Sequence, residues 1–156
     1  LKGLKANLAR KPSGGDRDVA KDILTGICDI GIANTYYVGI MRNSPDPDQK
    51  AWGEAVKTLD PSFAGAGTHV NISGAAVAKN APNREAAIQL IEFLTAEQAQ
   101  NMLATLNFEY PVRSGIDANA TIGLFGPIKA DPLSLSEIAS YRKRASEIFD
   151  EIGFDQ

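Results

Sequence analysis

Residues 26–37 read GICDIGIANTYY. The run over residues 27–33 is apolar and rich in isoleucine, which is typical of a strand buried on both faces of a parallel sheet. Gly26 precedes this run, and glycine readily adopts the left-handed backbone that ends a helix. The stretch therefore predicts an α/β fold in which a helix, a glycine turn and a buried strand follow one another.

The sequence around this stretch carries further helix and strand signals. Asp16 or Asp18 predicts the cap of a helix that ends before Gly26. The pairs Thr95–Gln98 and Ser134–Glu137 have the spacing of capping boxes, which mark the starts of two more helices. The remaining helices are expected to begin near Tyr37, Asp48 and Asn83, with strands over residues 68–73 and 75–78 and an extended segment over residues 107–112.

Composition excludes several classes of protein. The chain has 156 residues, of which 44% are hydrophobic, so it can build an ordinary globular core. It carries 16 Lys and Arg against 19 Asp and Glu, whereas a nucleic-acid groove usually needs a basic excess. No apolar run reaches the roughly 18 residues that span a bilayer, so we do not expect a membrane-embedded protein. One Cys and one His exclude a disulfide framework and a Cys/His zinc cluster.

The adjacent phenols of Tyr36 and Tyr37 are the sharpest chemical feature. They follow the C-terminal end of the predicted strand, and ligands of open α/β sheets bind in the crevice outside such ends. A tyrosinate oxygen is a hard donor that suits Fe(III). A free phenol has a pKa of about 10, so the ion must displace the proton. The alternative is that one ring packs in the core and the other lies on the surface.

The other reactive residues do not form a catalytic pattern. His69 lies alone in a strand-like segment, so a structural hydrogen-bonding role is expected. Cys28 alternates with isoleucine in an apolar run, which favours a buried, unreactive thiol. The sequence contains neither a glycine-rich phosphate loop nor a nucleophile elbow, and we therefore expect no enzyme activity.

Several segments resemble the C-terminal half of the periplasmic ferric-ion-binding proteins. These proteins are receptors of bacterial iron ABC transporters and belong to the type II periplasmic-binding proteins. The motif at residues 34–37, NTYY, is the most specific part of the resemblance. The matching segments are LKGLKANLARK at residues 1–11, GICDIGIANTYY at 26–37, GTHVNISGAAVA at 67–78, NAPNREAAIQLIEFLTAEQAQ at 80–100, FEYPV at 108–112 and KADPLSL at 129–135.

The resemblance implies a fold and a metal site. The family has two α/β lobes joined by crossing strands, with Fe(III) in the cleft between the lobes. Its adjacent tyrosines are iron ligands, which implies that role for Tyr36 and Tyr37. Asn34 matches a residue that helps to hold a synergistic anion, such as carbonate, in some members. Asp16 lies where some relatives have an anion-binding asparagine, and an acid there would repel an anion.

Family members are about twice as long, so this chain is expected to be a partial, C-terminal portion. By the resemblance, residues 1–66 belong to the C-terminal lobe and carry the tyrosine motif. Residues 67–112 cross to the N-terminal lobe, and residues 113–156 return with the final helix. The missing half would supply further iron ligands. We expect such a portion to expose apolar surface, and either to be a fragment of a longer protein or to self-associate by exchanging elements.

The function implied by the resemblance is periplasmic iron transport. The protein would bind Fe(III) without performing a reaction and deliver it to an inner-membrane ABC permease. One alternative is a receptor for another solute, such as a phosphonate, polyamine or sugar acid. Another is an enzyme built on the same scaffold, because a fold does not determine a function.

Overall fold

The computed structural model describes residues 1–62, 65–116 and 123–154. Helices dominate the part of the chain that it describes. They are α1 (Lys2–Ala6), α2 (Asp16–Leu24), α3 (Thr35–Arg42), α4 (Pro47–Ala55), α5 (Arg84–Thr95), α6 (Glu97–Leu106) and α7 (Leu135–Ile152).

Most helix starts lie within two residues of their predicted positions, because capping signals are local. Ser134 caps α7 as predicted, and its hydroxyl accepts the backbone N–H of Glu137 at 3.2 Å. At α2 the cap position is Gly15, whereas an aspartate was predicted there. Asp18 reaches back from the first turn, and its carboxylate accepts the N–H of Gly15 at 2.8 Å.

The predicted capping box at Thr95 and Gln98 is wrong. Helix α5 continues through Thr95, and the residue that caps α6 is Ala96. The hydroxyl of Thr95 donates to the carbonyl oxygens of Ile91 and Glu92, at 3.3 and 3.0 Å. It therefore bonds to the helix that precedes it and is turned away from the helix that follows.

The strand predictions are also wrong in the described parts of the chain. Residues 27–33 form no β-ladder, and the side chains of Ile30 and Ile32 are 82% and 78% exposed. Residues 68–78 contribute only isolated bridges, in which Thr68 pairs with Ser62 and Ala130. A strand exists through hydrogen bonds to a neighbouring strand, and the described residues provide no such neighbour for residues 27–33. The apolar pattern of residues 27–33 indicates burial, but it does not show whether another strand is present to pair with them.

The core is formed by α2, α3 and α4. Ala20, Val38 and Met41 are buried at its centre. Partly buried side chains pack around them, namely Tyr37, Trp52, Val56 and Phe125. The guanidinium of Arg42 fixes α3 to α4 by donating to the carbonyl oxygens of Gly53 and Val56, at 2.9 and 2.7 Å.

A second contact holds α3 from the opposite direction. Phe108 is buried, and its backbone is left-handed with a φ of 57°. This value contradicts the extended backbone predicted over residues 107–112. The ring of Phe108 lies directly on Gly39 of α3, where an added Cβ would collide with it. The segment after α6 is therefore packed closely against the helix that carries the two tyrosines.

The first and last helices are joined by one lysine. The ammonium group of Lys5 donates to the carbonyl oxygens of Ile152 and Gly153, at 2.7 and 2.5 Å. These carbonyls lie at the C-terminal end of α7, where the helix dipole is negative. Gly153 ends that helix with a φ of 56°. One side chain thus satisfies two terminal carbonyls and connects residues far apart in the sequence.

Replacing Gly39 by alanine should destabilise the chain by about 1–2 kcal/mol, although alanine is the better helix former. The added methyl group would meet the Cγ and Cβ atoms of Phe108, which lie at the root of a side chain and cannot swing aside. Urea denaturation measures the free energy of unfolding. The control is Gly3→Ala, because nothing lies within 4 Å of a Cβ on Gly3 in α1. Equal effects of the two variants would contradict close packing of Phe108 on α3.

Replacing Lys5 by methionine should lower the free energy of unfolding by about 1 kcal/mol. Methionine keeps the apolar length of the side chain but leaves two helix-terminal carbonyls without their charged donor. Lys2→Met is the control, because Lys2 lies on the same helix and is exposed. High salt should reduce the difference between Lys5→Met and the unmodified chain. A stability equal to that of the control would exclude the bridge.

Candidate functional site

The start of α3 is fixed by Asp16. Asn34 occupies the cap position of α3, and its backbone N–H donates to Asp16 Oδ1 at 2.6 Å. The side-chain amide of Asn34 donates to the same oxygen at 3.1 Å. Asp16 is itself the first residue of α2. The two candidate anion-binding residues therefore bond to each other and join the starts of two helices.

The two tyrosines occupy the first turn of α3 and lie side by side. Their ring centroids are 4.5 Å apart and their planes are inclined by 36°. The ring of Tyr37 packs against the core, with the guanidinium carbon of Arg17 lying 5.6 Å from its centroid. The ring of Tyr36 lines an open cleft. The structure thus brings both predicted ligands together, but only Tyr36 lies on the cleft wall.

The cleft has a volume of about 1160 Å³. Its polar wall combines the start of α3 with two segments that the sequence did not mark as functional. The amide of Asn71 donates to Asn34 Oδ1 at 3.4 Å. The hydroxyl of Ser73 donates to Glu109 Oε2 at 3.3 Å. Oxygen-bearing side chains therefore surround the space beside Tyr36.

Glu109 is the residue that sequence reasoning missed. It belongs to the FEYPV segment, which supports the family resemblance but has no periodicity or motif that marks a ligand. In the folded chain Glu109 lines the same cleft as Tyr36, and its charge is the smallest of the causes that raise the pKa of that phenol. Only the packing of the FEYPV segment against α3 in the folded chain shows that Glu109 and Tyr36 line the same cleft.

The surroundings of Tyr36 favour its protonated form. A hydrogen bond with the phenol of Tyr37 is the main cause that raises the pKa of Tyr36 above its usual value. Partial desolvation and the charges of Tyr37, Asp16 and Glu109 raise this pKa further. In these surroundings Tyr36 is therefore a neutral phenol at neutral pH. A cation that binds its oxygen must displace the proton.

Tyr110 also lines the cleft. Its hydroxyl donates to the carbonyl oxygen of Gly126 at 2.7 Å. Burial is the main cause that raises the pKa of Tyr110, and the charge of Asp60 adds to the effect.

His69 and Cys28 lie apart from each other. His69 lines the same cleft as Tyr36, whereas Cys28 lines a separate groove of about 850 Å³ beside α2. Cys28 is partly exposed, although a buried thiol was predicted. In residues 1–62, 65–116 and 123–154, no three His, Cys, Asp or Glu side chains converge on a metal position.

Comparison with known proteins identifies the class. Residues 5–101 match the family of bacterial extracellular solute-binding proteins, and the chain belongs to that family. It is 44% identical over 153 residues to iron uptake protein A1 of Synechocystis sp., covering 98% of this chain and 42% of that protein.

Solved structures agree with this assignment. A ferric binding protein of Bordetella is 59% identical with a TM-score of 0.86, covering 99% of this chain and 49% of that one. A Trichodesmium protein solved in complex with iron and citrate ligands is 38% identical with a TM-score of 0.89, covering 98% of this chain and 48% of that one. The predicted resemblance to ferric-binding proteins and the predicted type II periplasmic-binding fold are both confirmed.

The chain spans about half the length of the curated relatives that it matches. This agrees with the expectation that it corresponds to a portion of the two-lobed fold. Among the described helices, none combines the length and the hydropathy needed to cross a membrane.

Replacing Asp16 by alanine should loosen the start of α3 and lower the free energy of unfolding by about 1–3 kcal/mol. The substitution removes the acceptor of both Asn34 donors, one of which is a partly buried backbone N–H. Asp29→Ala is the control, because Asp29 is exposed and lies outside the helices. Amide hydrogen exchange at Asn34, followed by NMR, should accelerate only in the Asp16 variant. Unchanged exchange there would show that Asp16 does not cap this turn.

Proposed function

We propose that this chain is part of a periplasmic receptor that binds Fe(III) through the phenolate oxygens of Tyr36 and Tyr37. The observation that carries the proposal is the pairing of the two phenols in the first turn of α3. Their ring centroids are 4.5 Å apart, and the ring of Tyr36 lines the cleft. In the proposed site, a cation beside the oxygen of Tyr36 also takes the oxygen of Tyr37 as a ligand.

The donor chemistry supports a hard, highly charged ion. Phenolate and carboxylate oxygens prefer hard cations, whereas soft metals select sulfur ligands. The cleft wall offers oxygen donors, and the one cysteine lies in the other groove. The names of the similar proteins, an iron uptake protein and a ferric binding protein, support iron as this ion.

The role of Asn34 and Asp16 is proposed to be structural support of the site. Asn34 already bonds to Asp16 and Asn71 through its side chain. The negative charge of Asp16 opposes an anion at this position. A synergistic anion such as carbonate would therefore bind on the far side of the iron, away from the start of α3. The citrate in the Trichodesmium structure supports an anion as part of such a site.

The division of the chain is part of the proposal. Residues 1–66 and 113–156 would belong to the lobe that carries the tyrosines, and residues 67–112 would reach the other lobe. The second wall of the cleft, with further iron ligands, would lie outside this chain. The exposed side chains of Ile30 and Ile32 support self-association of the 156-residue chain.

The proposed activity is binding and delivery without a chemical reaction. The partner would be an inner-membrane ABC permease, which receives iron when the lobes open. Membership of a solute-binding family supports this activity and a periplasmic location. The placement of His69 and Cys28 in different grooves is consistent with binding without catalysis.

A visible-absorption titration with ferric nitrilotriacetate tests the proposal. The chain should develop a phenolate-to-iron band that grows to saturation, and both Tyr36→Phe and Tyr37→Phe should weaken it. Tyr141→Phe is the control, because Tyr141 lies on α7 and is 58% exposed. Binding should strengthen as pH rises, because Fe(III) displaces phenol protons and the surroundings of Tyr36 raise its pKa.

If the 156-residue chain develops no band, the same titration would be made on a protein of the relatives' full length. Absence of the band there too would contradict iron binding and favour a receptor for another solute. A band that survives both phenylalanine substitutions would place the phenolate ligand elsewhere.

A further inference from the structure

Phe108 stands out for its backbone. It has a φ of 57°, and it is the non-glycine residue with positive φ in the described part of the chain. A bulky residue in this conformation is strained by roughly 1–2 kcal/mol. Packing of its ring on Gly39 of α3 holds it there. Strain of this kind is maintained where the surrounding structure imposes it, often beside functional sites.

The strained turn determines where Glu109 lies. The backbone N–H of Glu109 donates to the carbonyl oxygen of Leu103 at 3.3 Å, which ties the residue to the last turns of α6. Since Phe108 is fixed against α3, the next side chain is brought to the cleft that Tyr36 lines. Glu109 and Tyr36 both line this cleft. Two parts of the chain that are distant in sequence thus present oxygen donors to one space.

Glu109 has a free charge in this cleft. One of its oxygens accepts the hydroxyl of Ser73 at 3.3 Å. No Lys or Arg is found among the described residues that line the cleft. Asp16 differs, because one of its oxygens already accepts two amide donors from Asn34. Glu109 is therefore better able than Asp16 to accept a cation, and Asp60 is the third carboxylate that lines the cleft.

We propose that Glu109 is an additional oxygen ligand of the cation bound by Tyr36 and Tyr37, an inference that rests on the proposed function. Two phenolates and one carboxylate carry three negative charges, which match the charge of a trivalent ion before any synergistic anion binds. With the same two phenolates and one carboxylate around a divalent ion, the site would carry a net negative charge. Glu109 thereby contributes to the selection of trivalent over divalent cations.

The test compares Glu109→Gln with the unmodified chain by two readouts. One is the visible titration with ferric nitrilotriacetate. The other is the luminescence of Tb(III), a hard trivalent ion, excited through the aromatic side chains. Glutamine preserves size and hydrogen bonding but removes the charge, so both affinities should fall at least about tenfold. The wavelength of the phenolate-to-iron band should also shift, because the shell of the iron changes. Glu97→Gln is the control, because Glu97 is an exposed carboxylate at the start of α6.

A second variant separates ligation from positioning. Ser73→Ala removes the hydrogen bond to Glu109 but keeps its charge, so the band should keep its wavelength and the affinity should stay within about threefold of the unmodified value. If Ser73→Ala reproduces the whole effect of Glu109→Gln, Glu109 acts through its position and the proposal is overturned. If Glu109→Gln retains the affinity and the band of the unmodified chain, the proposal is overturned while iron binding by the tyrosines stands. Absence of both signals from the unmodified chain and from a full-length relative would instead overturn the proposed function.

Discussion

The two hydrogen bonds between Asn34 and the carboxylate of Asp16 are the interaction on which the arrangement of the cleft depends. They join the first residue of α2 to the cap of α3, and the tyrosines follow in the first turn of α3. The buried side chains of α2 and α3 then hold the two helices together along their length. A polar bond sets the position of the helix start, and apolar packing keeps the helix there. The direction of the phenols is a consequence of both.

The carboxylate of Asp16, which fixes the start of α3, also contributes to the negative charge of the candidate site. A carboxylate that stabilises a helix start is also a fixed negative charge beside the space where a ligand would bind. Asp60 and Glu109 add two further carboxylates from other segments, and the described lining offers no Lys or Arg to neutralise the three of them. An anionic ligand would be repelled by this wall, whereas a cation would be attracted. The phenol of Tyr36 stays neutral in this field until a cation arrives.

The helices could be predicted from the sequence because their signals lie within a few residues of each other. Ser134 and Glu137 meet across a single turn, and the periodic apolar residues that follow them belong to the same helix. Whether residues 27–33 form a strand could not be predicted in this way, because a strand requires a second strand to pair with. The residue pattern shows that this segment is suited to burial, whereas the exposure of Ile30 and Ile32 shows that the described chain does not cover it. Strand formation is a property of a pair of segments, and a sequence pattern describes only one of them.

The residues of the candidate site also differ in whether the sequence alone could predict them. Tyr36 and Tyr37 are neighbours in the sequence, so their proximity follows from the residue order, whereas the directions of their rings do not, because adjacent helix residues point different ways. Glu109 reaches the site only because Phe108 adopts a left-handed backbone and packs on a glycine of α3. Neither the strain of Phe108 nor its contact with Gly39 has a sequence signature, since phenylalanine rarely adopts positive φ. Tertiary packing overrides local preference at this one turn, and the contact of the Phe108 ring with Gly39 is what maintains the strain.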